Sequence, residues 1–457
     1  MSLAPALWTG GILCAYTQPV KGGMLVSRRN RRVSLGSLLM LALAAAVLVL
    51  CAAFVLMIAP ERRGAHIEQS LLPLQQAAGA GASPAPTAAA AAADLPEQGA
   101  EQPSVQPAPA PTASSFTLAA AGTVYAPKAI RESAMEGAEH YDFAPVFEGL
   151  GTALSDADLS IVTLETTTAG ESKGYGSYNT PPQILDALRV AGADLVSLAT
   201  ERALDKGYDG LSITVSELTA RGLTCAGVTQ EGTGRARVIG VNGIQVAVLA
   251  ATYGISDEGR ERTRETERGV LCLLETQQMV EDIRAARAAG ADVVIVLPHW
   301  GTKNKAETPA AVKKMAATLA EAGADIILGT HPNVVQGTER LRVTRSDGLE
   351  YETVVCYSLG SLLTDARAAE NTAGMIARLT VSYDPVSRRT SLGELVCMPV
   401  YIARDRKDAE VVYRVVDTDN AAAVSALSPS EQEAARVAAS LVREATGQSA
   451  REQEGQG

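Results

Sequence analysis

No cysteine of this 457-residue chain stands in a CxxC pair, which removes the metal-finger and thioredoxin readings. Cys225, Cys272, Cys356 and Cys397 fall inside or beside apolar runs. A small buried thiol is expected at each, with one disulfide as the alternative in an oxidising compartment. Positive charge is also short: 40 Lys and Arg against 51 Asp and Glu leave a net charge of −11. That balance excludes a nucleic-acid partner and suits a soluble surface outside the cell. Histidine is scarcer still, at 4 residues. His66 and His140 lie in linker and loop sequence, which leaves His299 and His331 for chemistry.

Charge is missing altogether from residues 35–59, an apolar stretch long enough for the roughly 20 residues of a membrane-spanning helix. The stretch ends in Met57-Ile58-Ala59-Pro60, without a small-x-small cleavage site, so an uncleaved anchor is expected. Lys21, Arg28, Arg29, Arg31 and Arg32 precede it and only Arg62 and Arg63 follow closely, which places the amino terminus in the cytoplasm. Cys51 follows Leu50 rather than a small residue, so it reads as an ordinary membrane cysteine and not a lipidation site. Met24 follows Lys21-Gly22-Gly23, which a purine-rich ribosome-binding sequence would encode, and is the expected start.

Large apolar residues then almost vanish from 77 to 115, a run of Ala, Pro, Gln and Gly that cannot bury enough surface to fold. The expected organisation is a cytoplasmic segment (1–34), the anchor (35–59), an extracytoplasmic linker (60–115), a folded domain (116–417) and a helical tail (418–457). The tail opens with Ser428-Pro429-Ser430-Glu431, a strong helix start, and carries Ala434, Val437, Leu441 and Val442 on one expected face.

What the folded part does contain is a unit repeated three times: an amphipathic helix, the tetrapeptide Ala-Gly-Ala-Asp, an apolar run, then polar residues. The tetrapeptide recurs at 191–194, 289–292 and 322–325, and the runs end on Thr200-Glu201-Arg202, His299-Trp300-Gly301 and Thr330-His331-Pro332-Asn333. A helix closed by Gly and followed by a β-branched run predicts a strand buried on both faces of a parallel sheet. Parallel strands send their polar ends to one rim, where open α/β sheets bind ligands. Around these units the sequence predicts strands at 116–121 and 159–164, a helix over 143–155, and a hairpin across Asn242-Gly243. Hairpins follow after 340. Alternation leading into antiparallel hairpins predicts a layered α/β sandwich.

Several motifs, in order and at spacing, resemble the CapA family of capsule and poly-γ-glutamate synthesis proteins. They are Asp158-Leu159-Ser160-Ile161-Val162-Thr163-Leu164-Glu165, Asn179-Thr180-Pro181-Pro182, Asp194 to Ala199, Leu297-Pro298-His299-Trp300-Gly301, His331 to Gly337, and Tyr357-Ser358-Leu359-Gly360-Ser361. The resemblance covers roughly 116–404. It implies a sandwich of calcineurin-like metallophosphatase type, mixed sheets flanked by helices, and a role in making, exporting or anchoring a cell-surface polymer. The implied partners are polymer-synthesis membrane proteins and an anionic polymer.

The chain departs from that family where metals would bind. Thr123 stands for an Asp, Thr163 for an Asn, Thr200-Glu201-Arg202 for Asn-Asn-His, and Asn333 for a His. Threonine is a poor ligand for zinc or manganese, and an arginine repels a cation. A two-metal centre has lost too many ligands. Glu165, His299 and His331, with Glu201 as a newcomer, either hold one divalent ion or are inherited residues that bind nothing. Arg202 either grips an anionic group or pairs with Glu165 or Glu201. Trp300 and Asn333 complete the candidate substrate contacts. The expected function is that of a membrane-anchored, extracytoplasmic binding component with a decayed metal site. The alternative is a single-metal hydrolase of a phosphoester or amide bond using Glu165, His299 and His331.

Overall fold

The Ala-Gly-Ala-Asp repeat is a device for starting strands. Each glycine closes its helix at positive φ: Gly192 at 109°, Gly290 at 96° and Gly323 at 125°. Without a Cβ these residues adopt that conformation at no steric cost. Each aspartate then accepts a backbone N–H from the first turn of the neighbouring strand: Asp194 from Ser160 at 2.9 Å, Asp292 from Gln245 at 2.8 Å, Asp325 from Val294 at 2.8 Å. The polar residues of the unit therefore sit at both ends of the strands, fastening the amino ends and leaving the carboxyl ends free.

The computed structural model describes residues 113–448, apart from 138–139, 230–233 and 408–409. The expected cytoplasmic segment, membrane anchor, nearly all of the linker, Cys51 and the Met24 start lie outside the described residues. Among the described residues no helix is long and apolar enough to cross a membrane.

The strands form two large sheets, as a layered sandwich of mixed sheets requires. The first is nine-stranded, and its main path runs Glu410–Asp417, Val396–Lys407, Ala373–Asp384, Ser114–Val124, Leu159–Leu164, Leu195–Ser197, Thr224–Ala226. Strand Ser361–Leu363 also pairs with Ser114–Val124, in parallel. The second is six-stranded, in the order Thr338–Thr344, Glu350–Cys356, Ile326–Leu328, Val293–His299, Ile244–Thr252, Ala236–Val241. The three repeated strands are parallel to their neighbours as expected, but they divide between the sheets: one in the first, two in the second.

Period-two alternation sorts the side chains into layers. Leu118, Ala120, Leu159, Ile161 and Leu195 of the first sheet meet Val246, Val248, Val293, Ile295 and Ile326 of the second in a shared core. Their neighbours Ala119, Val162 and Val196 face outward, under helices Gln183–Ala191 and Gly207–Ala220. Helices Thr276–Ala288 and Pro309-capped Ala310–Ala322 cover the outer face of the second sheet. The result is a four-layer mixed α/β sandwich. All four described cysteines are buried free thiols.

Two local expectations change. Residues 143–155 do not form one helix; a short helix Ala144–Phe147 passes into a 3-10 turn, Glu148–Leu150. Gly151, at φ 54°, then ends the helical run. The tail helix Pro429–Thr446 forms, but its buried face is Ala435, Ala438, Ala439 and Val442, while Val437 is exposed. This face packs with Tyr401 and Val416 at the margin of the inter-sheet core, and small alanines let the helix come close to the strand. Tyr401 fixes its first turn by donating to Glu431 at 2.7 Å.

Candidate functional site

The carboxyl ends of the two sheets converge, and their polar residues meet there. Strand Leu195–Ser197 runs out to Glu201 and Arg202, strand Val293–His299 ends on His299, and strand Ile326–Leu328 leads through Gly329 and Thr330 to His331. The backbone knits these ends together: the Tyr253 N–H donates to the His299 carbonyl at 3.0 Å, and the Ser256 N–H to the Glu201 carbonyl at 2.9 Å.

Glu201, His299 and His331 are all buried, and one ligand atom from each lies within 4.8 Å of the others. His299 Nε2 is 2.8 Å from Glu201 Oε2, and its Nδ1 is 2.9 Å from Thr330 Oγ1. A carboxylate only accepts, so Nε2 carries the proton and Nδ1 of the neutral ring accepts from the threonine hydroxyl. Burial holds His299 below the ordinary histidine range, against the pull of Glu201. Burial alone would raise the Glu201 carboxyl, but the two histidines beside it prevail and hold it well below the usual range. The Glu201–His299 pair at neutral pH is thus a carboxylate beside a neutral imidazole, the protonation state a metal requires of such ligands.

His331 Nδ1 lies 3.7 Å from the same Glu201 oxygen, too far for a hydrogen bond, and is buried without a hydrogen-bond partner among the described residues. Its backbone is at φ 99°, a strained conformation for a side chain of this size. The ring is held from the outside by Tyr253, with centroids 4.5 Å apart.

Glu165 belongs to the same rim but not to this cluster. Its buried carboxyl is 3.7 Å from Lys303 Nζ and is pushed up to about 8 by burial and by Glu201, despite Lys303 and Arg202. With Asn333, Lys303, Tyr125, Tyr178 and Asn371 it lines a cavity of about 210 Å³. Two neighbouring carboxyls are therefore pushed apart, one ionised and one protonated at neutral pH, as in sites that divide acid and base roles.

Arg202 lies with its guanidinium 4.2 Å from the Tyr178 ring centroid and pairs with Asp205 at 3.4 Å and Glu201 at 3.8 Å. Of its expected partners it takes Glu201 and not Glu165; Asp205, itself bound by the Ser256 hydroxyl, is the addition. Trp300 requires a correction. It is 2% exposed and its indole N–H donates to the Tyr357 carbonyl at 2.9 Å, so it is a packed core residue and no wall for a substrate. Asn333 does line the cavity, at φ 57° and with Oδ1 buried and unpartnered.

Tyr253, Tyr178 and Lys303 were not singled out by sequence. Lys303 stands two residues beyond His299-Trp300-Gly301 and Tyr253 directly follows an apolar run, so position relative to strand ends was the available signal.

The donor set tests what cation the rim suits. Two imidazoles and one carboxylate, with the unpartnered His331 Nδ1, fit a single divalent ion with an open position. They do not fit a pair: Thr123 and Thr200 offer buried hydroxyls without partners, and Arg202 and Lys303 supply fixed positive charge.

A family model described as bacterial capsule synthesis protein PGA_cap matches residues 117–366. The PGA biosynthesis protein CapA of Bacillus subtilis (strain 168) is 29% identical over 174 residues, 37% of this chain and 42% of that protein. The capsule biosynthesis protein CapA of Bacillus anthracis is 26% identical over 188 residues, 40% of this chain and 43% of that protein. The matches thus span less than half the length of either relative. Among solved structures, the calcineurin-like phosphoesterase YfkN from Bacillus subtilis aligns over 73% of this chain and 97% of its own at 12% identity, with a TM-score of 0.38.

Proposed function

Since the chain belongs to the bacterial capsule synthesis protein family, we propose that it serves as an accessory in producing, exporting or anchoring an anionic cell-surface polymer of poly-γ-glutamate type. In this reading the apolar stretch 35–59 anchors it to the membrane and the domain stands outside the cytoplasm on its Ala/Pro-rich linker. It works beside polymer-synthesis membrane proteins as a binding component whose ancestral two-metal centre has decayed.

The observation that carries the reading is Arg202. Its guanidinium, stacked on Tyr178 and 3.8 Å from Glu201, puts a permanent positive charge at the position where the family pattern has a ligand histidine. An arginine there disfavours a cation and suits an anionic group, which its planar fork can grip with two hydrogen bonds.

A second reading is favoured by a specific observation, the convergence of Glu201, His299 and His331 within 4.8 Å. These three would hold one zinc or manganese ion, which would supply Lewis-acid polarisation of a phosphoester or amide. The chain's own part is to keep Glu201 ionised, to hold a proton on Glu165 for a leaving group, and to orient His299 through Thr330. Glu165 therefore acts beside the cluster in this reading and not as its third ligand.

Metal analysis of the full-length protein in detergent separates the two. Stoichiometric zinc or manganese that survives dialysis and is lost in His299→Ala and His331→Ala would overturn the decayed-site reading. No retained metal, and no rise in thermal stability on adding it, supports that reading. Fractionation tests the anchor: release of the chain by salt alone, without detergent, would count against it.

A further inference from the structure

The amino-terminal end of strand Ile326–Leu328, opposite the end that carries His331, holds a second concentration of charge. A cleft of about 350 Å³ there is lined by Arg284, Arg287, Arg345 and Arg388, with Asp347 and Tyr351. Four arginines against one aspartate is an unusual balance for a chain of net charge −11.

The four do not have the same work. Arg287 is consumed by the fold: its guanidinium donates to the carbonyls of Gly323, Ala291 and Asp292 and pairs with Asp325. Arg345 is half consumed. One nitrogen reaches the Ala324 carbonyl and Asp325 Oδ1 at 2.8 and 3.0 Å, and its side chain is only 10% exposed, stacked 4.2 Å from the Tyr351 centroid. Its Nε is buried with no hydrogen-bond partner among the described residues. Asp347 is occupied too, accepting from the Tyr351 hydroxyl at 2.6 Å and the Leu349 N–H at 2.9 Å.

Among the described residues Arg284, exposed on helix Thr276–Ala288, makes no hydrogen bond or ion pair, and Arg388, exposed on a hairpin of the other sheet, meets the Tyr383 hydroxyl. One free guanidinium fork, Arg284, and one held only at the Tyr383 hydroxyl, Arg388, therefore line one cleft with a third that is fixed in place. We propose that this cleft is an oxyanion-binding site, taking a carboxylate or phosphate group between Arg284 and Arg388 with Arg345 as its floor. Guanidinium forks match the two oxygens of such groups, and low-dielectric walls strengthen the attraction. Nothing in the rim chemistry requires this site, so the two stand or fall separately.

The test is calorimetric titration of the full-length protein in detergent with citrate and, separately, inorganic phosphate. Binding of either anion is expected, weakening as salt is added and at least about tenfold weaker in the Arg284→Gln/Arg388→Gln double variant. Arg436→Gln, an exposed arginine on the tail helix, should bind as the parent does. Citrate binding alone identifies a carboxylate ligand, and phosphate binding alone a phosphate ligand; both support the site. If neither anion binds, or the double variant binds as well as the parent, the proposal is overturned. Should the double variant fail to fold, Arg284→Gln alone carries the comparison.

Discussion

Glu201 Oε2 sits 2.8 Å from His299 Nε2, and that single hydrogen bond joins the carboxyl ends of two different sheets. Glu201 follows the one repeated strand of the nine-stranded sheet, and His299 closes a central strand of the six-stranded one. The bond is buried, so its loss exposes no group to water that could replace it. Glu201→Ala leaves the His299 N–H without an acceptor and should lower the unfolding free energy by about 1–3 kcal/mol. Glu201→Gln keeps an oxygen acceptor and should cost less. Urea denaturation of both variants checks the order, and equal losses would show that charge rather than the hydrogen bond holds the sheets together.

Glu165 makes stability fall as pH rises. Its carboxyl is at about 8 in the folded chain and near the ordinary carboxylate value when unfolded, so the native state binds the extra proton between those limits. The stabilising proton is fully present below the unfolded value and is lost as pH passes through 8. Glu165→Gln carries a permanently neutral group of the same shape. It should match the parent at pH 5 and exceed it at pH 9 by on the order of 1–3 kcal/mol, read from thermal unfolding across that range. A parent whose stability does not change between pH 6 and 9 would remove the premise.

Arg202 should oppose any cation at the cluster. Its guanidinium is 3.8 Å from the Glu201 oxygen that does not face His299, close enough for several-fold electrostatic effects even at a moderately high effective dielectric. Arg202→Gln removes the charge and should tighten zinc or manganese binding by about tenfold, measured by competition with a chelator. The same change deprives buried Asp205 of its guanidinium, leaving it the Ser256 hydroxyl, so a modest loss of stability should accompany the gain in affinity. Tighter metal without that loss would mean Asp205 had found another partner.

The sequence made the strands and their direction legible because Gly-closed helices and β-branched runs leave few alternatives. Strand Leu159–Leu164 stands where its apolar run puts it. What it could not assign was which sheet each repeated strand would join. The local code of strands in two different sheets is the same, and only the crossovers, which are long-range, divide them. The rim shows the same limit. His299, His331 and Glu201 were recognisable as strand endings, whereas the tilted ring contact of Tyr253 with His331 depends on how a loop folds back. Trp300 misled for a related reason. An aromatic next to a site histidine sits on the opposite side of the strand, because successive side chains alternate, and here that side is the core.

The buried Trp300 also makes Gly329 a tight point behind the site. A Cβ on Gly329 would stand 2.1 Å from the Tyr357 carbonyl oxygen and 2.4 Å from Trp300 Nε1. Both atoms are already bonded to each other, and the Gly329 N–H itself donates to the Cys356 carbonyl at 2.8 Å, so neither neighbour is free to give way. Gly329→Ala must push the Thr330–Asn333 turn outward, and with it His331, whose φ of 99° already leaves little tolerance. The variant should lose about 1–3 kcal/mol of stability and, if the cluster holds an ion, weaken that affinity as well. Gly234→Ala, where the added methyl meets nothing within 4 Å, is the matched control and should change neither. If Gly329→Ala is as stable as that control, the close approach of Trp300 to the backbone does not constrain the turn, and the position of His331 must be set from Tyr253 instead.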